Sequence, residues 1–149
     1  MTIEGLVLGH FENCIVRQIA RGDSNKFVLL CDGTQAPFVS VVEIFDEGGQ
    51  TPPNEHAEAH EYFYVLGGEG IAVVGEVEAA IRPGSFFIVP PGHSHQVRNT
   101  GSGRLYVLTT MVPDEKFSDL IKAGPDASLD EADLKVLRGL NLNAADTGK

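Results

Sequence analysis

The chain has 149 residues, 42 % of them hydrophobic, and a formal net charge of −10; that suits one domain with a packed core rather than a disordered chain. The excess of acid excludes nucleic acid as a partner, because phosphates would be repelled. No apolar run approaches the ~18 residues a membrane span needs, and the start MTIEGLVLGHFE, with Glu4 early and no basic stretch, does not read as a signal peptide.

Glycines and prolines are dispersed along the chain, as expected for many short strands joined by tight turns. Lys26–Cys31 and Phe38–Phe45 (FVSVVEIF) read as strands, the second rich in β-branched and aromatic residues. Glu61–Leu66 (EYFYVL) follows and ends at Gly67-Gly68, and Ile71–Val74, Glu76–Arg82, Ser85–Val89, His95–Arg98 and Leu105–Val112 complete the series. Phe86-Phe87-Ile88-Val89 is apolar on both alternating faces, which predicts burial on both sides, between sheets or under another subunit. The pattern changes at Pro113. Asp114–Ala123 places Phe117, Leu120 and Ile121 at helical spacing, with acids first, Lys122 last and Gly124-Pro125 as a stop. Ser128 to Glu131 reads as a capping box opening a second helix, with Leu134 and Leu137 on one face and Gly139 after it. Residues 141–149 are polar and expected to fray. The plan is therefore a β-domain over 1–112 and a helical extension over 113–149 that belongs to the same domain. The helices hold too few apolar residues for a core of their own and must cap the β-domain or pack on a neighbouring subunit. Cys14 and Cys31 lie in no CxxC pair and sit among apolar residues; reduced, buried thiols of a cytosolic protein are expected.

Four of the five histidines fall in two short segments, His56 and His60, then His93 and His95, and Glu61 follows His60. Imidazole nitrogens with a carboxylate oxygen suit a divalent transition metal: iron, manganese, zinc, nickel or copper. The stretch GSFFIVPPGHSHQVRN sets Gly84, Pro90, Gly92, His95 and Asn99 in one frame. It resembles the second motif of the cupins, G-x5-P-x-G-x2-H-x3-N, at every position. The first cupin motif, G-x5-H-x-H-x3–4-E-x6-G, is met at its end by Glu61 and Gly68. Counting back places its second histidine on His56 and its first on Asn54, where the family normally has His; Gly48 or Gly49 stands slightly too far upstream. An alignment with His56 as first histidine would make Glu58 the second ligand and leave too few residues before Glu61.

The resemblance implies an all-β double-stranded β-helix, or jelly-roll (cupin) barrel, with two short C-terminal helices. It implies His56, Glu61 and His95 as metal ligands with Asn54 in the fourth slot, and a homodimer. Two histidines and a carboxylate are similar to non-haem Fe(II) oxygenase sites and equally to zinc sites. His60 neighbours Glu61 and on a strand points to the opposite face; a bulge there would let it replace the missing histidine. His93 reads as a rim residue and His10 as structural or solvated. Phe63 and Val65 share the parity of Glu61, which makes the inward set apolar around one carboxylate, as in a pocket for a small organic ligand. Tyr62 and Tyr64 face the other way, toward another layer or a subunit interface. Gly67-Gly68-Glu69-Gly70 lacks the Lys-Ser/Thr of a phosphate loop and reads as a hairpin turn. The expected function is a metal-dependent enzyme on a small organic molecule, oxygenation first, with decarboxylation, isomerisation or lyase chemistry open. The alternative is a non-catalytic small-molecule or sugar-binding module, favoured by Asn54 and by the lack of an obvious second acid or base.

Overall fold

The computed structural model describes residues 2–139; the polar tail over 141–149 lies outside the described residues. Nine strands run β1 (Val16–Arg17), β2 (Asn25–Cys31), β3 (Val39–Phe45), β4 (His60–Gly67), β5 (Gly70–Val74), β6 (Val77–Ile81), β7 (Phe86–Val89), β8 (His95–Asn99) and β9 (Leu105–Val112), followed by α1 (Phe117–Lys122) and α2 (Glu131–Leu137). The strands form a six-stranded sheet in the order β1-β2-β3-β9-β4-β7 and a three-stranded sheet in the order β6-β5-β8, all paired antiparallel. The two sheets enclose a core in which Phe45, Phe63, Val65, Leu105 and Val107 meet Ala72, Ile81 and Val97. This is the jelly-roll barrel with two short helices that the resemblance implies.

Side-chain alternation decides what enters the barrel. Strand β4 alternates exposed and buried residues, so Glu61, Phe63 and Val65 point in while His60, Tyr62, Tyr64 and Leu66 point out. Strand β3 is apolar on both faces because both are covered. Val39, Val41 and Phe45 line the barrel, while Val42 and Ile44 pack outside with Val28 and Tyr106 beneath Phe11, Val16, Val136 and Leu137. Helix α2 therefore closes the outer face of the sheet, and α1 closes one end of the barrel, with Ile121 buried beside Phe27, Val39 and Met111.

Two expectations are corrected. The capping box of α2 is made by Asp130 and Asp133, not by Ser128 and Glu131; Asp133 is drawn there because its carboxylate also meets Lys26, Arg104 and Tyr106. No second sheet of this chain buries the outer side of strand β7: Phe86 is 66 % and Ile88 58 % exposed, at the edge of the large sheet. Among the described residues, no helix is long and apolar enough to cross a membrane.

Candidate metal centre

Strand β8 buries His95, Val97 and Asn99 on its inward face. The chain enters β8 through Gly92, whose φ of +79° is left-handed and favours glycine there. The Gly92 amide donates to the carbonyl of His56 (2.8 Å), so the same turn fixes the loop carrying the second histidine. That loop lies along β8: Thr51 N donates to Val97 O, and Asn54 and His95 exchange both backbone hydrogen bonds at 2.9 and 2.8 Å. Directly paired residues point to the same face, which places Asn54 beside His95 on the cavity wall. Asn99, the last residue of the frame, is structural. Its amide donates to Asp46 O and Gly103 O (both 2.9 Å) and its carbonyl accepts from Gly101 N.

His56, Glu61 and His95 come together. Both Nε2 atoms approach one oxygen, Glu61 Oε1, at 3.0 Å from His56 and 2.9 Å from His95, and the three ligand atoms lie within 4.8 Å of one another. Burial alone would raise the Glu61 carboxyl, but hydrogen bonds from both imidazoles outweigh it and hold its pKa below the ordinary value. The hydrogen bond to Glu61 raises the pKa of His56. His95 Nδ1 lies 3.2 Å from the carbonyl of His93, an acceptor that requires the proton on Nδ1. Without a second proton on the ring, Nε2 turns a lone pair toward Glu61 Oε1, itself an acceptor. Two lone pairs facing each other need a proton or a metal cation between them, and an imidazole oriented through its other nitrogen is the usual arrangement of a metal-ligating histidine. The donor set fits a divalent transition metal.

The other histidines stay apart. His60 points outward and is exposed, with no bulge to bring it round; the β4–β9 register shifts further along, between Val65 and Gly67. His93 is an exposed rim residue bonded to Pro91 O, and His10 caps a short 3-10 turn at the surface.

A cavity of about 450 Å³ opens over the three residues. Phe27, Phe63, Met111, Phe117 and Leu120 supply most of its apolar wall, and Asn54 and Lys116 also line it. The segment before α1 forms part of the mouth. Glu115 and Lys116 both adopt left-handed backbone, φ +49° and +66°, which is unfavourable outside glycine. Glu115 Oε2 holds this segment in place by accepting the amide of Glu58 at 3.0 Å and that of Ala59.

The expectation of no second acid or base is also corrected. Glu43 is buried on β3 and lines the same cavity. Its Oε2 accepts from Asn25 Nδ2 at 2.7 Å, and Ser24 Oγ lies 2.8 Å from Asn25 Oδ1, fixing the amide's orientation. Burial pushes the Glu43 carboxyl up to about 8; the Asn25 bond opposes this and the charge of Glu61 adds to it. The signal was present in FVSVVEIF, whose one charged residue shares the inward parity of Val39, Val41 and Phe45. Thr109, on β9 between these carboxylates in register, is buried with its hydroxyl unpartnered among the described residues.

A family model described as "Cupin domain" matches residues 41–111. Residues 41–111 thus resemble a cupin domain, in keeping with the barrel and the motif geometry above. The fold is shared with a predicted oxalate decarboxylase from Thermotoga maritima (TM-score 0.65, 19 % identity, 72 % of this chain and 99 % of that one). It is shared also with a sugar phosphate isomerase of the cupin superfamily from Silicibacter pomeroyi (TM-score 0.61, 18 % identity, 71 % and 75 % covered). A curated relative, an uncharacterised protein of Methanocaldococcus jannaschii, is 25 % identical over 72 residues; the match takes in 48 % of this chain and 58 % of that protein, less than two thirds of its length.

Proposed function

We propose that this protein is a metal-dependent enzyme acting on a small organic molecule, with His56, Glu61 and His95 holding a divalent transition metal and Asn54 in the fourth position. The observation that carries the reading is the convergence of both Nε2 atoms on Glu61 Oε1 at the base of an apolar cavity. A bound ion would supply Lewis-acid polarisation of substrate oxygens or, as iron, manganese or copper, access to oxygenation. The chain's own residues do the rest. The His93 carbonyl holds His95 in its tautomer, the Gly92 amide holds the His56 loop, and the apolar wall takes the body of the substrate. Among the described lining residues Lys116, at the rim, is the one lysine or arginine. A phosphate dianion would find no guanidinium fork, so a neutral or singly charged substrate suits the cavity better than a sugar phosphate.

Metal analysis of protein purified without added metal tests the proposal. Near-stoichiometric metal that falls sharply in His56→Ala and His95→Ala supports it; trace metal unchanged in those variants refutes it. Asn54, an amide where the family normally has imidazole, favours a second reading, a non-catalytic binding module. Turnover of any small molecule that Glu61→Gln abolishes would count against that module.

We infer further that the protein pairs with a second copy through the outer face of β4 and β7. Tyr62 pairs with Ile88 and Tyr64 with Phe86 in register, giving an exposed apolar strip on an edge strand, where pairing is favoured. Sedimentation of wild type as a dimer and of Ile88→Lys as a monomer would bear this out; a monomeric wild type would not. We place the protein in the cytosol, where Cys14 and Cys31, both free, stay reduced.

A further inference from the structure

Strand β3 carries a group that a metal site alone does not need. Glu43 lines the cavity without a hydrogen bond to His56, Glu61 or His95, and among the described residues its one side-chain partner is Asn25. An amide nitrogen only donates, so Glu43 Oε2 is an acceptor, and a proton on this carboxyl belongs to Oε1. Ser24 keeps the Asn25 amide from flipping, because its hydroxyl bonds Oδ1. The ionisable groups sharing the cavity are Glu61, His56 and His95 at the base, with Asp23, Glu115 and Lys116 toward the mouth. Glu61 has both histidines as partners, whereas Glu43 forms no ion pair among the described residues, Lys116 included. A carboxylate buried with no cation is strongly disfavoured.

We propose that Glu43 is the acid of this site, a neutral carboxyl that presents its Oε1 proton to a substrate lying between it and the His56–Glu61–His95 group. The inference rests on reading the cavity as an enzyme site and names the chemistry done there. The step is protonation of an enolate. The O–H bond of Glu43 breaks and its electron pair stays on Oε1. The proton bonds to the substrate carbon through the pair the enolate held, and solvent then returns a proton to Glu43; in reverse, the Glu43 carboxylate takes a proton from that carbon and the C–H pair becomes the enolate. No oxidant or reductant enters, which selects redox-neutral reactions, isomerisation or loss of CO2 from a β-oxo acid (the pair left by CO2 becoming the enolate pair), over oxygenation. The substrate class is an enolisable oxo acid with one carboxylate and an apolar body, matching the apolar wall and the single rim cation Lys116. This is general acid catalysis by a carboxyl whose pKa, about 8, lies near neutrality, as the task requires.

The probe is α-oxoisocaproate. In infrared spectra near neutral pH, wild type should show the carbonyl stretch of a protonated carboxylic acid. That band should be absent from Glu43→Gln, vanish on titration above about pH 8 and shift when the probe is added. No such band, or one indifferent to the probe, overturns the proposal. In deuterated water, metal-loaded wild type should exchange the β-hydrogens of the probe, and Glu43→Gln should do so at least about 10²-fold more slowly. No exchange by wild type, or equal exchange by the variant, also overturns it. The glutamine is isosteric and keeps an acceptor for Asn25, so the fold survives. Metal content measured on the same samples separates the two readings. Metal retained without the infrared band sinks the role of Glu43 alone; the band without metal sinks the metal reading alone.

Discussion

Replacing Asp133 with alanine tests how α2 is held to the barrel. Asp133 has a fully buried side chain and gathers four donors: Lys26 Nζ at 2.5 Å, Arg104 Nη1 at 2.9 Å, Tyr106 Oη at 2.8 Å and the Asp130 amide at 3.0 Å. Arg104 keeps Asp130 and Asp46 as partners when Asp133 is lost. Lys26 does not: its side chain is 15 % exposed and Asp133 is its one ion-pair partner among the described residues. Truncation therefore leaves the Lys26 ammonium with only the Ser128 carbonyl, unpairs a buried tyrosine hydroxyl and removes the half of the capping box that Asp133's side chain supplies. Removing one partner of a buried ion pair costs about 3–5 kcal/mol, while Asp130 still caps the helix through the residue-133 amide. With a domain stability of about 5–15 kcal/mol, Asp133→Ala should lose about a fifth or more of the total. Urea unfolding followed by far-ultraviolet circular dichroism measures it, since the chain has no tryptophan to report by fluorescence. Asp133→Asn, which keeps an acceptor of the same shape, should cost about half as much. Lys26→Met in the Asp133→Ala background should recover part of the loss, because the stranded charge is gone. A loss under about 1 kcal/mol in Asp133→Ala would refute the idea that this carboxylate anchors the helix.

Glu43 makes stability depend on pH. The folded state keeps its proton up to about pH 8, whereas the ordinary value is 4.5. Between these limits the unfolded state has released a proton the folded state still holds. Stability therefore falls as pH rises, by up to about 1.4 kcal/mol per unit. Glu43→Gln should remove that slope, gaining on wild type from about pH 5 to about pH 8 and no further; parallel urea midpoints across this window would count against it. Asn99→Ala should cost about 2–3 kcal/mol, since it leaves the Asp46 and Gly103 carbonyls without their donor. It should leave metal stoichiometry intact in protein that folds; selective metal loss would make Asn99 part of the centre. Glu115→Ala removes the acceptor of the Glu58 and Ala59 amides and should cost about 2 kcal/mol. It should also speed amide exchange at those two residues without slowing it elsewhere; unchanged exchange there would show that the loop is held by other contacts.

Residues whose role follows from backbone position were legible in the sequence. Gly92 and His95 are set by one turn and one strand, and simple alternation along β4 turned Glu61 in and His60 out. Residues whose role depends on what lies across the fold were not. Both Ser128–Glu131 and Asp130–Asp133 have capping-box spacing, and local pattern cannot choose between them. The choice is made by Lys26, Arg104 and Tyr106, about 30 to 100 residues away in the chain. Phe86 and Ile88 form an apolar run, but sequence cannot say whether a second sheet or a second subunit covers them; the structure shows that no second sheet of this chain does. Glu43 is the sharpest case. Its parity placed a carboxyl in the barrel, yet parity does not say whether an inward acid meets a cation. The fold gives both histidines to Glu61 and only an amide to Glu43. One barrel thus holds a charged carboxylate and a neutral carboxyl in the same cavity, kept different by their partners rather than by their residue type.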